Sequence, residues 1–439
     1  MVKTQAWAVD PLEPNESALG WRQALPQQLL AYLPLSLFFP VGVMYTGVLL
    51  FYLSVLLSGG YMRKILRLRQ SPMLLPILGL SLVSIIIAAM EGAPEGAEKE
   101  FWPGFWHYQT YLFLLPFLTV TTGFWQRRAI QVFFAGALMA ATLFVANFFH
   151  LLPLNTLFRS YVVYEGNKSI LLAILLAVAA AWMIEEMRVQ RNHLPLRLLA
   201  CAFVVLVLIL LAKSRTAVLL FLILCGVIAL RQLGWSWRTM LLSLVVCAGV
   251  AGGWKYALSL PPPPTCEVRL VQDSPWNIFK LRSICTVQQI HDSLTGKKVN
   301  EDGMRLDIYR ITADIIAEEP VFGHGIASWM PLYRERAAGL SSATMTTPHN
   351  DYLLYLTELG LFGLLALLLI WAAQFLAAYR LAMHDHPGVR EMAMPLVMLT
   401  LAMMVGGMFN AILRDGVFGM AFMILLSIPL AGTRSRQNA

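Results

Sequence analysis

Thr347-Pro348-His349-Asn350-Asp351-Tyr352-Leu353-Leu354-Tyr355-Leu356-Thr357-Glu358-Leu359-Gly360 is where a long polar excursion ends and a hydrophobic helix begins. The residue before a proline is steered away from helical dihedrals, which makes Thr347 the expected N-cap. Pro348 then suits the first helical position, where its missing N–H costs nothing. That register puts His349 in the first turn, beside unpaired backbone N–H groups and the positive end of the helix dipole. Such a place attracts an anion and biases an imidazole toward its neutral form, which is a usable base.

Outward from this boundary the chain is apolar. Its 439 residues are 58% hydrophobic and 13% charged, with a mean hydropathy of +0.64. Apolar runs of about 20 residues recur, the length needed to cross a bilayer as a helix. The pattern predicts an all-α polytopic membrane protein and lacks the alternation of a membrane barrel. About twelve membrane helices are expected, near 28–59 (two short helices, split by Pro34 and Pro40), 72–91, 107–123, 130–151, 168–186, 198–213, 216–232, 239–259, 350–378, 391–410 and 416–432. The expected organisation is therefore a tail over 1–27, nine membrane helices over 28–259, a polar domain over 260–348, three more membrane helices over 349–432, and a tail over 433–439. Residues 1–27 mix acidic and basic side chains without an early apolar core, unlike a cleavable signal.

A net charge of +8 with a pI near 9.3 could suggest nucleic acid, but the basic residues sit between apolar runs and report topology instead. Loops carrying Arg63, Lys64, Arg67, Arg69, Arg127, Arg128, Arg188, Arg191 and Arg197 are far more basic than those carrying Lys99, Arg159, Lys168, Lys213, Arg215 and Arg414. By the positive-inside rule the first set and both termini are cytoplasmic, and the excursion faces out. No nucleic-acid partner is expected.

The excursion opens with Pro261 to Pro264, a stiff extended spacer. Cys266 and Cys285 lie on the side where disulfides persist, and a bridge between them is expected; Cys201, Cys225 and Cys247 fall within membrane helices. Met304, Ile308, Ile311 and Ile315 form the apolar stripe of an amphipathic helix over 303–319. Pro320, Gly323 and Gly325 end it, and a second helix is expected over 328–338.

The candidate chemistry lies in charges placed where topology disfavours them. Lys213-Ser214-Arg215-Thr216 forms a tight outward turn; Ser214 can cap the next helix, which puts Arg215 in its first turn. A cation there is unfavourable by itself, and an anionic ligand resolves the conflict through the forked guanidinium; the plainer alternative is cations snorkelling to headgroups. Arg305 and Arg310 are five residues apart and so point to different faces of their helix. Arg159 and Lys168 border another outward loop, and Arg414 stands beside Asp415 as an expected ion pair. No histidine, cysteine or acid set has a recognised metal spacing, so no metal is expected. No Walker loop, dinucleotide fingerprint or G-x-S-x-G elbow is present either, and no cofactor is expected.

Taken together, these residues resemble the O-antigen ligase/polymerase superfamily of integral membrane glycosyltransferases. The resemblance rests on His349-Asn350-x-Tyr352-Leu353, Glu358-x-Gly360-x-x-Gly363, Ser214-Arg215-Thr216-Ala217, and Arg305-x-x-x-Tyr309 followed by Glu319-Pro320-Val321-Phe322-Gly323-His324-Gly325. Tyr309 stands where the family more often has Trp, and Arg159 with Gly166-Asn167 resembles a looser element. The first 150 residues match only in hydropathy. The resemblance implies a GT-C-like enzyme of the bacterial inner membrane, acting at its periplasmic face on a glycan carried by undecaprenyl pyrophosphate. In the ligase branch the acceptor is a sugar hydroxyl of lipid A–core; in the polymerase branch it is a second lipid-linked glycan. His349, Arg215 and Arg305 are the implied catalytic residues. Arg159, Lys213, Ser214, Arg310, Asn350 and Tyr352 are candidates to contact the pyrophosphate or glycan. Protein O-oligosaccharyltransferases share the His-Asn pair but usually carry a longer final external region. A non-enzymatic exporter of a lipid-linked anion is the reading from another class.

Overall fold

The computed structural model describes residues 20–121, 123–149, 151, 167–212, 214–234, 236–263, 275–295 and 301–434. Among these residues all regular structure is helical. The first half contains α1 (Trp21–Tyr32), α2 (Val41–Leu57), α3 (Tyr61–Gln70), α4 (Leu74–Glu91), α5 (Glu98–Tyr108), α6 (Leu114–Phe117), α7 (Phe124–Phe148), α8 (Asn167–Val189) and α9 (Leu194–Leu210). The second contains α10 (Arg215–Leu233), α11 (Trp237–Ser259), α12 (Pro275–Leu294), α13 (Glu301–Glu318), α14 (Trp329–Arg336), α15 (Asp351–Ala382), α16 (Pro387–Arg390), α17 (Ala393–Phe409) and α18 (Gly416–Leu430).

Seven of the described helices are long and apolar enough to span a membrane, or up to eight if α2 and α3, bent by 115°, count as one. This is fewer than the twelve expected, for local reasons. The apolar run 107–123 is not one helix: α5 ends at Tyr108, a 3₁₀ turn covers Thr110–Phe113, and α6 has only four residues. At 17 residues, α9 reaches only about 26 Å at 1.5 Å per residue. The split expected within 28–59 is present, as the 3₁₀ segment Leu33–Phe38 between α1 and α2. Past Gly59 and Gly60, both at positive φ, α3 turns aside with Arg63, Lys64, Arg67 and Arg69 and buries none of its residues.

The bundle is organised around α8, whose side chains from Leu171 to Trp182 are all 1% exposed or less. Ala173, Ala177, Ala179, Ala180 and Ala181 let neighbouring helices approach closely, and α7, α9, α10 and α17 surround it. By contrast, Leu75, Leu82 and Ile85 on α4 and Phe362, Leu365 and Leu369 on α15 are exposed. An apolar belt of this kind suits lipid rather than water.

The excursion has its own small core. Ile308 and Ile315 from α13 pack with Trp329, Tyr333, Ala337 and Leu354, as the stripe spacing requires. Trp329 donates to Thr312 Oγ1 (3.0 Å) and stacks on Tyr333 at 4.6 Å. On α12, Cys285 is buried and disulfide-bonded, while its expected partner Cys266 lies outside the described residues.

Two interlocks join this domain to the bundle. Helix α15 is broken at Gly360 (φ 63°, ψ −161°), and the Pro320–Gly325 loop enters the break. Leu361 N donates to Pro320 O (2.9 Å) and His324 N to Thr357 O (2.8 Å). Glu358, the one acid deep in an apolar segment, accepts from Tyr108 (2.7 Å) and from the backbone N–H groups of Ala327 and Trp329. A carboxylate there serves as the cap that α14 lacks. The second interlock is Asp351, fully buried, which accepts from the N–H groups of Ile412, Leu413 and Arg414 and so pins the α17–α18 turn to the start of α15.

Candidate active site

His349 does not lie in the first turn of α15. Asn350 is the N-cap: its Oδ1 accepts from Leu353 N (3.1 Å) and its Nδ2 donates to Met408 O (3.0 Å). Asn is at least as good a cap as Thr, and the Met408 bond fixes it further. His349 precedes the helix in the left-handed region, φ 51°, a conformation that costs a non-glycine residue about 1–2 kcal/mol. Its N–H is bonded to Thr347 Oγ1 (3.2 Å). The imidazole is held below its ordinary value of 6.5 by burial first and by the Arg305 guanidinium second. Burial and Arg305, not a helix terminus, bias the ring toward its neutral form.

Arg305 and Tyr309 lie one turn apart on α13, on the face toward His349. Tyr309 donates to Met408 O (3.3 Å) and is hydrogen-bonded to Asn350. Burial raises its hydroxyl pKa, while Arg305 and the Asn350 bond act in the opposite direction. The structure thus gathers Arg305, Tyr309, His349 and Asn350 at the α13–α15 junction. Arg310 is exposed on another face of α13, as its spacing implied.

The remaining sequence candidates are placed differently. Ser214 caps α10, accepting from Ala217 N (3.2 Å), and Arg215 is an exposed residue in the first turn, both as expected. Tyr352 turns into the bundle, donating to Met404 O (3.1 Å) and meeting Trp371 edge-on, so it ties α15 to α17. Arg159 and Lys213 lie outside the described residues.

His349 also opens on a cavity of 510 Å³ formed by α5, the start of α8, the 344–349 loop, the 410–416 turn and Phe418. Two of its lining residues were not among the expected substrate contacts: His107 at the end of α5, and Arg414, expected only as an ion pair. Arg414 does not form the expected pair with Asp415. It donates to Thr346 O (2.6 Å), which pins the loop before His349, while Asp415 caps α18 through Val417 N (2.9 Å). His107 is pushed down to about 4 by burial and by Arg414. No local pattern marks either residue, because the α5–α18 proximity that joins them is set by tertiary packing. Among the described residues no group of three His, Cys, Asp or Glu is arranged to hold a metal ion.

The cationic junction beside a neutral imidazole is built almost wholly from the segment between α9 and the first half of α15. Residues 199–368 match the family model described as O-Antigen ligase. That stretch is similar to an O-antigen ligase domain. Ser214, Arg215, Arg305, His349, Asn350 and the Glu358–Gly360 interlock fall inside it; His107, Arg159 and Arg414 fall outside. The family carries out lipid-linked glycan transfer of the ligase or polymerase type. No curated protein matches the chain.

Proposed function

We propose that the protein is an O-antigen ligase, transferring a glycan from undecaprenyl pyrophosphate to a sugar hydroxyl of lipid A–core at the periplasmic face of the bacterial inner membrane. The observation that carries this reading is His349: a half-buried imidazole biased toward its neutral form, in a strained backbone conformation, beside Arg305 and open to a cavity of 510 Å³. Strain of this kind persists only where its surroundings over-determine it, and it clusters at active sites.

In the proposed step the acceptor oxygen attacks the anomeric carbon and its proton passes to His349 Nδ1 or Nε2. The anomeric C–O bond breaks, and its electron pair leaves with undecaprenyl pyrophosphate. Arg305, with Arg215 from α10, neutralises the charge that grows on the leaving oxygen, an electrostatic role worth about 3–4 kcal/mol per well-placed donor. Positioned proton transfer contributes a further factor of about 10²–10⁴. Single displacement gives inversion at the anomeric carbon, and no metal is needed when guanidinium groups supply the positive charge. The outward orientation follows from the positive-inside asymmetry; the membrane-embedded helices hold the lipid portions of both substrates.

The test is to incubate purified protein with undecaprenyl-pyrophosphoryl glycan and either lipid A–core or a second carrier-linked glycan. Sugar gained by lipid A–core is expected; sugar gained only by the carrier-linked glycan would make the protein a polymerase instead. His349→Ala should abolish transfer. Undiminished transfer by that variant, or a product of retained configuration, would refute the proposed mechanism.

A further inference from the structure

The two sides of His349 differ in charge. Arg305 acts on the ring but does not line the 510 Å³ cavity. Among the described lining residues the cavity's one fully charged cation is Arg414, and its carboxylate counterpart Asp415 lines the same wall. Arg414 also borders the adjoining crevice that holds Glu358, and one guanidinium nitrogen is already engaged by Thr346 O. Burial first, and Arg414 second, bias His107 toward its neutral form. Hydroxyl-bearing Thr344 and Thr347 complete the polar lining. A pyrophosphate is drawn to the Arg305 cation on the α13 side, which has no ion pair among the described residues. A wall of balanced charge, neutral imidazole and hydroxyls suits an uncharged polyol, whose hydroxyls both donate and accept.

We propose that this cavity is a sugar subsite that holds the acceptor's nucleophilic ring against His349, with His107 as a second hydrogen-bonding partner of that ring. The proposal rests on the glycan-transfer reading above and adds a residue from α5, outside the ligase-domain match. It divides the site: donor pyrophosphate on the α13 side of His349, acceptor sugar on the α5 and α18 side. The donor's own first sugar shares this chemistry, so the experiment must separate the two sources.

Full-length protein in nanodiscs is treated with diethyl pyrocarbonate, and carbethoxylation of His107 is followed by mass spectrometry. Lipid A–core alone, undecaprenyl-pyrophosphoryl glycan alone, or neither is present. Slowing of His107 modification by lipid A–core, about fivefold or more at saturation, with no slowing by the donor, is the expected result. In steady state His107→Ala should raise KM for lipid A–core about tenfold, the loss of one good hydrogen bond, and leave the donor KM unchanged. His107→Asn should recover part of that loss. Protection by the donor alone, or a rise confined to the donor KM, overturns the assignment. The protection assay uses the unaltered protein and so stands even where a variant does not fold. Absence of glycan transfer by the unaltered protein would overturn the catalytic reading, while protection by lipid A–core would still support the subsite.

Discussion

Gly360→Ala tests the joint on which the site's geometry depends. Gly360 sits at φ 63°, where an L-residue loses about 1–2 kcal/mol. A Cβ there would lie 2.6 Å from Gly323 N and closer still to the Val321 carbonyl, distances that no side-chain carbon adopts. Backbone cannot yield as a flexible side chain can, so the Pro320–Gly325 loop must withdraw. Withdrawal breaks Leu361 N to Pro320 O and His324 N to Thr357 O, each worth about 0.5–1.5 kcal/mol net. The sum is roughly 2–5 kcal/mol.

The loop links α13 to α14, so its withdrawal also moves Arg305 and Tyr309 away from His349. Displacements of about 1 Å can cost on the order of 10²-fold in rate. Thermal midpoints of detergent-solubilised protein, read by size-exclusion, and initial rates of glycan transfer are the assays. Gly323→Ala attacks the same contact from the other side, since its Cβ would stand 2.5 Å from Gly360 N. The double variant should therefore be clearly less than additive. A Gly360→Ala protein with unchanged midpoint and rate, or a fully additive double variant, would refute the interlock.

Arg305→Gln should lower kcat about 10²–10³-fold by removing one charge-stabilising donor. It should also shift the acid limb of the pH–rate profile: His349 acts deprotonated and its pKa is depressed, so the unaltered enzyme should keep its activity at pH 6.5 and lose it only at lower pH. Without the Arg305 charge the limb moves up toward 6.5; a limb that stays put would separate Arg305 from His349. Asp351→Ala leaves three buried N–H donors without their acceptor, at about 1–3 kcal/mol each before water or rearrangement offsets part of it. Its midpoint should fall, and limited proteolysis at the 410–416 turn should quicken. Cys285 is disulfide-bonded, and non-reducing peptide mapping should find it joined to Cys266; a different partner would reassign the bridge.

The sequence was most legible where one residue's role depends on its immediate neighbours. Ser214 capping α10, the α13 stripe and the divergence of Arg305 from Arg310 follow from helical spacing alone, and the structure has all three. The start of α15 misled because two adequate caps, Thr347 and Asn350, stand three residues apart. Their local propensities are comparable, and the bond from Asn350 to Met408 O, 58 residues away, settles the register. That register puts His349 at φ 51°, a conformation only a few per cent of non-glycine residues adopt.

Glu358 is a different case. An acid deep in an apolar helix can mark a transport or binding site, but its partners are Tyr108 and the unfilled N-terminus of α14, so it serves to hold the junction together. His107 and Arg414 were illegible because their significance is purely positional: α5 and the α17–α18 turn meet at the cavity only after the bundle has packed. The residues that build the α13–α15 junction are local enough in sequence for a family model to capture, whereas those facing the cavity come from segments far apart in the chain. In physical terms this divides the site's chemistry. Arg305 and His349 can serve glycan transfer whatever the acceptor, while the α5 wall carrying His107 can change without breaking the Arg414 bond that pins the loop before His349. Acceptor choice is therefore expected to reside in α5 and the 410–418 turn, outside the ligase domain itself.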